Sequence, residues 1–179
     1  MRASAVRLSF LLSTILIGVV FLSRPVIADD DSLLPVTFQS FAADYRRALA
    51  KASLKDALVA LNCLDGSADK RKVCMYKLGN FFNIIVESQK GGSDVIGITM
   101  ICSAPDITAS SKCLLSYIAA MALTSPEMSV DTRGKIVKIL LDGLEVGNIT
   151  SVTTDDRKFI LQKSIGLWFH IIAANSGDD

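Results

Sequence analysis

Four cysteines are the residues in this sequence whose type and spacing indicate the most about chemistry. Cys63 and Cys74 form one C-x10-C pattern, and Cys102 and Cys113 form a second. Cysteine zinc sites use closer pairs, typically C-x2–4-C, so a metal centre is disfavoured. An even number of cysteines in an exported chain predicts disulfides, with three ways to pair them. Because each pair brackets a turn-like segment, we expect Cys63–Cys74 and Cys102–Cys113, each closing a helix-turn-helix and contributing about 3 kcal/mol.

The single histidine and one pair of adjacent carboxylates are the other candidates for catalysis. His170 lies within Leu-Trp-Phe-His-Ile-Ile, which favours a core or interface position. Asp155 and Asp156 stand at a predicted helix start, where acids complement the helix dipole and neighbouring residues do not face each other. No G-x-S-x-G, H-E-x-x-H or Gly-rich phosphate loop occurs in the sequence. We therefore predict that the protein is not an enzyme and needs no cofactor or metal.

The composition excludes further classes of protein. Of the 179 residues, 50 % are apolar and 21 % are charged, and the net charge is +1. An apolar content this high is not that of a disordered chain. A balanced charge without a Lys/Arg run gives no electrostatic case for nucleic-acid binding.

The N-terminal segment has the pattern of an export signal. Arg2 and Arg7 form a positively charged segment before an apolar run over residues 8–22, and Val26-Ile27-Ala28 precedes three aspartates. This order is typical of a cleaved signal peptide. We predict a signal peptide over residues 1–28, a cut after Ala28, and one domain over residues 29–179 in the periplasm without stable membrane insertion. An uncleaved N-terminal anchor is the alternative.

Apolar residues recur at helical spacing along most of the chain, and polar or Gly residues interrupt them. This pattern predicts an all-α, single-domain helical bundle of five or six helices, with residues 95–101 open between helix and strand. The apolar positions of the predicted helices are Phe38, Phe41, Tyr45 and Leu49; Leu54, Leu58 and Leu61; Val73, Tyr76, Leu78, Phe81, Phe82 and Ile85; Ile107, Leu114, Tyr117, Ile118 and Met121; Ile136, Val137, Ile139, Leu140 and Leu144; and Phe159, Ile160, Ile165, Leu167, Trp168, Phe169, Ile171 and Ile172.

Two blocks of the sequence resemble the Tai/Rap family of periplasmic immunity proteins, which neutralise type VI secretion amidase effectors. The first block runs from Cys63 through a polar loop to Cys74, with Tyr76 and Gly79 after it. The second block has these elements in order: Cys102-Ser-Ala-Pro-Asp-Ile-Thr, Tyr117, Ser125-Pro126-Glu127 and an apolar helix over residues 135–144.

The resemblance implies inhibition by occlusion, in which a loop on a rigid scaffold covers the active site of the amidase, and it implies a homodimer. Two loops are candidates for partner binding, and the C-terminal aromatic pair is a candidate dimer patch. The partner-binding candidates are Asp65, Asp69, Lys70, Arg71 and Lys72 in residues 65–72, and Glu127, Met128 and Asp131 in residues 125–133; the dimer-patch candidates are Trp168 and Phe169.

Two other functions stay open for an exported bundle. One is a carrier of a small apolar ligand, with Phe81, Phe82, Ile84 and Ile85 as the pocket lining. The other is a periplasmic chaperone.

Overall fold

A computed structural model describes residues 33–65, 71–88, 92–103, 106–154 and 156–174. Over these residues the chain forms three helices and eight strands, so the predicted all-α bundle is wrong. The elements in chain order are β1 (Leu34–Thr37), α1 (Phe41–Lys51), β2 (Leu58–Asp65), β3 (Lys72–Leu78), β4 (Phe82–Ser88), β5 (Asp94–Cys102), α2 (Ile107–Thr124), α3 (Val130–Leu144), β6 (Ile149–Thr153), β7 (Arg157–Ser164) and β8 (Gly166–Ala173).

The strands form one antiparallel sheet in the order β2-β3-β4-β5-β8-β7-β6, and β1 pairs with the start of β5. Strands β2 to β5 are consecutive neighbours, as are β6 to β8, and the contact between β5 and β8 joins the two groups. The helical hairpin α2–α3 connects β5 to β6, so the middle of the sheet depends on pairing across this insertion. Strands β2 and β6 are the two edges of the main path.

The helices pack on one face of the sheet, and a row of alternate residues from five strands fills the space beneath them. Register places Tyr76, Ile84, Met100, Phe169 and Leu161 side by side, and all five are buried. Alternate burial is the pattern of a sheet with one covered face. Apolar residues such as Met75 of β3, Ile85 of β4 and Ile101 of β5 also lie between the buried positions, so the alternation that would mark a half-buried strand is incomplete.

Three predicted helices are confirmed, and each has a local signal at its start or on its buried face. Helix α1 buries Phe41, Tyr45 and Leu49. Asp106 caps α2 by accepting a hydrogen bond from the Ala109 N–H at 2.8 Å, and Ser129 caps α3 in the same way. The helices predicted between Leu54 and Ile85 and after Thr154 are wrong, because those segments form strands β2, β3, β4, β7 and β8.

The core between helices and sheet is closed by aromatic side chains. Tyr117 of α2 lies 4.7 Å from the Phe169 ring of β8, measured between centroids. The Tyr45 hydroxyl donates a hydrogen bond of 2.9 Å to the Ser116 carbonyl, which satisfies a polar group within the core. Burial raises the pKa of both Tyr45 and Tyr117, so both hydroxyls stay protonated.

In the described part of the chain, no helix has both the length and the apolar character needed to cross a bilayer.

Both predicted disulfide pairings are confirmed, although neither closes a helix-turn-helix. Cys63 and Cys74 are directly opposed residues of β2 and β3. Cys102 at the end of β5 is bonded to Cys113 in α2, which fixes the long helix to the sheet. Two disulfides are compatible with an oxidising, exported compartment. The predicted signal peptide and its cut lie outside the described residues.

Candidate functional site

The first candidate loop is the connection between β2 and β3 at an edge of the sheet. Asp65 ends β2, and Arg71 and Lys72 lead into β3. The Lys72 N–H donates to the Ser88 hydroxyl at 3.1 Å, which ties the start of β3 to the end of β4. Asp69 and Lys70 lie outside the described residues. Asp65 and Lys72 therefore lie on paired strands and not at a helix start.

The second candidate loop joins α2 to α3 and presents several side chains to solvent. Of its three partner-binding candidates, Glu127 and Asp131 are exposed, whereas Met128 is half-buried and packs against the core. Val130 has 72 % of its surface exposed, and the sequence did not single it out as a partner-binding candidate. The available signal was a β-branched apolar residue directly after the capping Ser129, outside the apolar stripe of α3.

Arg157, the first residue of β7, contacts the end of α2 where this loop begins. Its side chain is buried, and Nε donates a hydrogen bond of 3.0 Å to the Thr124 carbonyl at the end of α2. Helix α2 has no basic residue in its own last turn, so Arg157 satisfies a terminal carbonyl and complements the negative end of the helix dipole. Nη1 donates to the Asp156 carbonyl at 2.6 Å and lies 3.0 Å from the Asp156 carboxylate. The predicted helix start at Asp155 and Asp156 is therefore wrong: Asp156 precedes a strand, and Asp155 lies outside the described residues.

Hydrogen bonds within the loop fix its remaining backbone. The Ser125 N–H donates to the Met121 carbonyl at 2.9 Å, and the Met128 N–H donates to the Ser125 carbonyl at 3.1 Å. The Ser129 hydroxyl accepts from the Thr132 N–H at 3.1 Å and so starts α3. The loop is consequently a short, hydrogen-bonded turn with exposed side chains.

A groove of about 600 Å³ lies beside the loop, between α1, α2 and α3. Its apolar lining comes mainly from Ala48, Ala52, Ile118, Ala119, Ala122 and Leu123, with Val130 shared with the loop. Its charged lining consists of Arg47, Lys51 and Arg133 with a single carboxylate, Asp44. The groove is therefore amphipathic, with cations in excess.

The predicted dimer patch is divided between the two faces of the sheet. Phe169 is only 1 % exposed within the core, so it is not available to a partner. Trp168 lies on the opposite face, where its indole N–H is buried without a hydrogen-bond partner among the described residues. His170 shares this face, and its Nδ1 lies 3.0 Å from the Thr99 hydroxyl. Burial lowers the pKa of His170, and the charge of Glu87 opposes this in part.

The residues predicted to line a carrier pocket do not share one wall. Phe82 and Ile84 are fully buried in the core, whereas Ile85 alternates to the opposite face of β4. Phe81 lies in the preceding turn, with the Lys112 ammonium 5.7 Å from its ring centroid. Within the described ranges, no three His, Cys, Asp or Glu side chains come together as metal ligands would.

The two blocks that resemble the Tai/Rap family differ in how their positions fold. In the first block Cys63, Cys74 and Tyr76 lie on strands β2 and β3, where the resemblance implied helices. In the second block Tyr117 and residues 135–144 lie on helices, joined by a loop that contains Pro126 and Glu127. Compared with known proteins, the chain matches no protein-family model, no curated protein and no solved structure.

Proposed function

We propose that this is a periplasmic immunity protein, which binds a type VI peptidoglycan amidase effector and occludes its active site with the α2–α3 loop. The observation that carries the proposal is the loop itself, whose exposed residues stand on a backbone fixed by Arg157 and by the Ser129 cap. The second block of the family resemblance covers this same helix–loop–helix. The two disulfides agree with action in an oxidising compartment.

The loop has the properties of an inhibitory contact. Because its backbone is already hydrogen bonded, binding orders few additional groups, and less of the interaction energy is lost as entropy. Val130, the first residue of α3, offers an exposed apolar side chain next to the turn, and Glu127 and Asp131 are exposed near it in sequence. Apolar contact supplies affinity, while the two carboxylates orient a partner that carries cations around its cleft.

The experiment pairs the purified protein with the peptidoglycan amidase encoded next to its gene. Inhibition of peptide cross-link cleavage is titrated for wild type, Val130→Asp and the double variant Glu127→Lys/Asp131→Lys. We expect complete inhibition at equimolar wild type and at least about tenfold weaker inhibition by both variants, equivalent to about 1.4 kcal/mol.

Ile139→Asp is the matched control, because Ile139 lies on the same helix and is 53 % exposed but does not belong to the loop. It should inhibit like wild type, and all variants should unfold at the wild-type temperature. The proposal is wrong if wild type does not inhibit the amidase, or if Ile139→Asp weakens inhibition as much as Val130→Asp.

Homodimerisation is part of the proposal, and Trp168, which is partly buried, is the one member of the predicted patch outside the core. Trp168→Asp would place a charge on the face of the sheet opposite Phe169 without altering the loop. Sedimentation velocity should therefore show a wild-type dimer and a Trp168→Asp monomer. A wild-type monomer at micromolar concentration would remove the dimer from the proposal.

A further inference from the structure

The groove between α1, α2 and α3 has the dimensions and lining of a small-molecule site. Its volume of about 600 Å³ falls within the range of about 300–1,000 Å³ that ligand pockets occupy. Alanines of α1 and α2 keep the groove wide, and Ile118 and Leu123 give it an aliphatic lining. Such a lining favours a flexible hydrocarbon chain.

Two cations of the groove have no counter-charge within the described residues. Arg47 is paired with Asp44 of its own helix, but neither Lys51 nor Arg133 takes part in an ion pair. The Arg133 Nε is buried and has no hydrogen-bond partner in the part of the chain that the structure describes. A buried donor without a partner is costly, and a bound anion would satisfy it.

We propose that this groove binds an anionic amphiphile, with its single hydrocarbon chain along the alanines and its carboxylate or phosphate between Lys51 and Arg133. The charges of the groove select against cationic amphiphiles, and the unpaired cations distinguish an anionic head from a neutral one. Lys51 comes from α1 and Arg133 from α3, so the head group would bridge two helices that line the groove. Lys51 and Ala122 lie outside the α2–α3 loop, so their variants probe this site separately from amidase inhibition, whereas Val130 and Arg133 belong to both.

Isothermal titration calorimetry with sodium dodecanoate, below its micellar concentration, tests the proposal on the delipidated full-length exported protein. Dodecanol is the neutral probe, and dodecanoyl lysophosphatidic acid presents the same chain with a phosphate head. We expect one dodecanoate per chain, with at least tenfold weaker binding of dodecanol. Tighter binding of the lysophospholipid than of dodecanoate would identify a membrane-derived lipid as the source, and the reverse order a free fatty acid.

Variants then assign the site to the groove. Lys51→Gln and Arg133→Gln should each weaken dodecanoate binding about tenfold and leave the weak binding of dodecanol unchanged. Ala122→Phe should abolish both by filling the groove. Lys135→Gln is the matched control, since it removes a cation from the exposed surface of α3 without lining the groove, and it should bind like wild type.

Three results would overturn the proposal: no binding of dodecanoate, equal affinity for dodecanoate and dodecanol, or an equal loss with Lys135→Gln and Arg133→Gln. Circular dichroism of each variant separates a lost site from a lost fold. If Ala122→Phe does not fold, the two glutamine variants still decide the outcome.

Discussion

Replacing Arg157 by methionine should destabilise the protein through the end of a helix that lies far away in sequence. The guanidinium is buried and donates to the Thr124 carbonyl at 3.0 Å, where α2 ends and the candidate loop begins. Methionine keeps much of the aliphatic stem and its packing but removes both donors. The Thr124 carbonyl, on a residue that is itself fully buried, then loses its charged partner.

The magnitude follows from the two kinds of contact that Arg157 makes. A hydrogen bond to a charged donor contributes about 1.5–3 kcal/mol in a buried site. The ion pair with Asp156 adds little, because the Asp156 side chain is 54 % exposed and exposed pairs contribute about 0–1 kcal/mol. We therefore expect Arg157→Met to lower the free energy of unfolding by about 2–3 kcal/mol. Asp156→Asn should cost under about 1 kcal/mol, because its backbone carbonyl still accepts from Arg157.

Urea unfolding at pH 7 with both disulfides intact measures these differences. Far-ultraviolet circular dichroism reports the helices, and the single tryptophan, Trp168, reports the sheet; coincident transitions support two-state behaviour. The melting temperature should fall by about 5–10 °C in Arg157→Met. Lys163→Met is the control, as it removes an exposed cation from the same strand. A loss below about 0.5 kcal/mol, or one equal to that of the control, would refute the reasoning about the helix end.

Three further predictions test the disulfides, the histidine and the turns. Cys63 is exposed, whereas Cys102 and Cys113 are both buried, so limiting dithiothreitol should open Cys63–Cys74 first; alkylation of Cys102 and Cys113 first would contradict this. Because the folded-state pKa of His170 is lowered, the unfolded state binds more protons below pH about 6.5, and stability should fall as the pH falls through that range. Urea midpoints of His170→Asn should fall less steeply, and an equal slope would count against this assignment. Gly166→Ala combines a positive φ of 100° with overlap of its Cβ on the backbone oxygen that ends β5, so it should cost at least about 2 kcal/mol in urea unfolding. Gly79→Ala has a φ of 59° but meets only side-chain atoms, of Phe81 and Asp56, so about 1 kcal/mol is expected, and an equal cost for both would show that the overlap relaxes.

Local features of the sequence determined the three helices and the disulfide pairing. Asp106 and Ser129 are capping residues whose side chains bond to the backbone within the next three residues, so their effect needs no distant contact. The cysteine spacing favoured the correct pairs because the two members of each pair are only 11 residues apart, so a short turn in either a helical or a strand fold can bring them together. Glu127 and Asp131 were predicted to face a partner, and their exposure follows from charge in a loop next to a capped helix start.

Only the tertiary structure decided that most of the remaining segments are strands. A strand's hydrogen bonds go to other segments, and pairing such as Met100 with Phe169 joins β5 to β8 across the whole α2–α3 hairpin. Apolar residues on the second face of the sheet, such as Met75 and Ile85, weakened the alternation that would have marked these strands. Because pairing with β5 and β7 makes residues 166–173 a strand, the neighbours Trp168 and Phe169 lie on opposite faces of the sheet. Packing of distant elements brought Arg157 to the end of α2 and placed Lys51 and Arg133 on one groove. Side chains on different elements meet only when those elements pack.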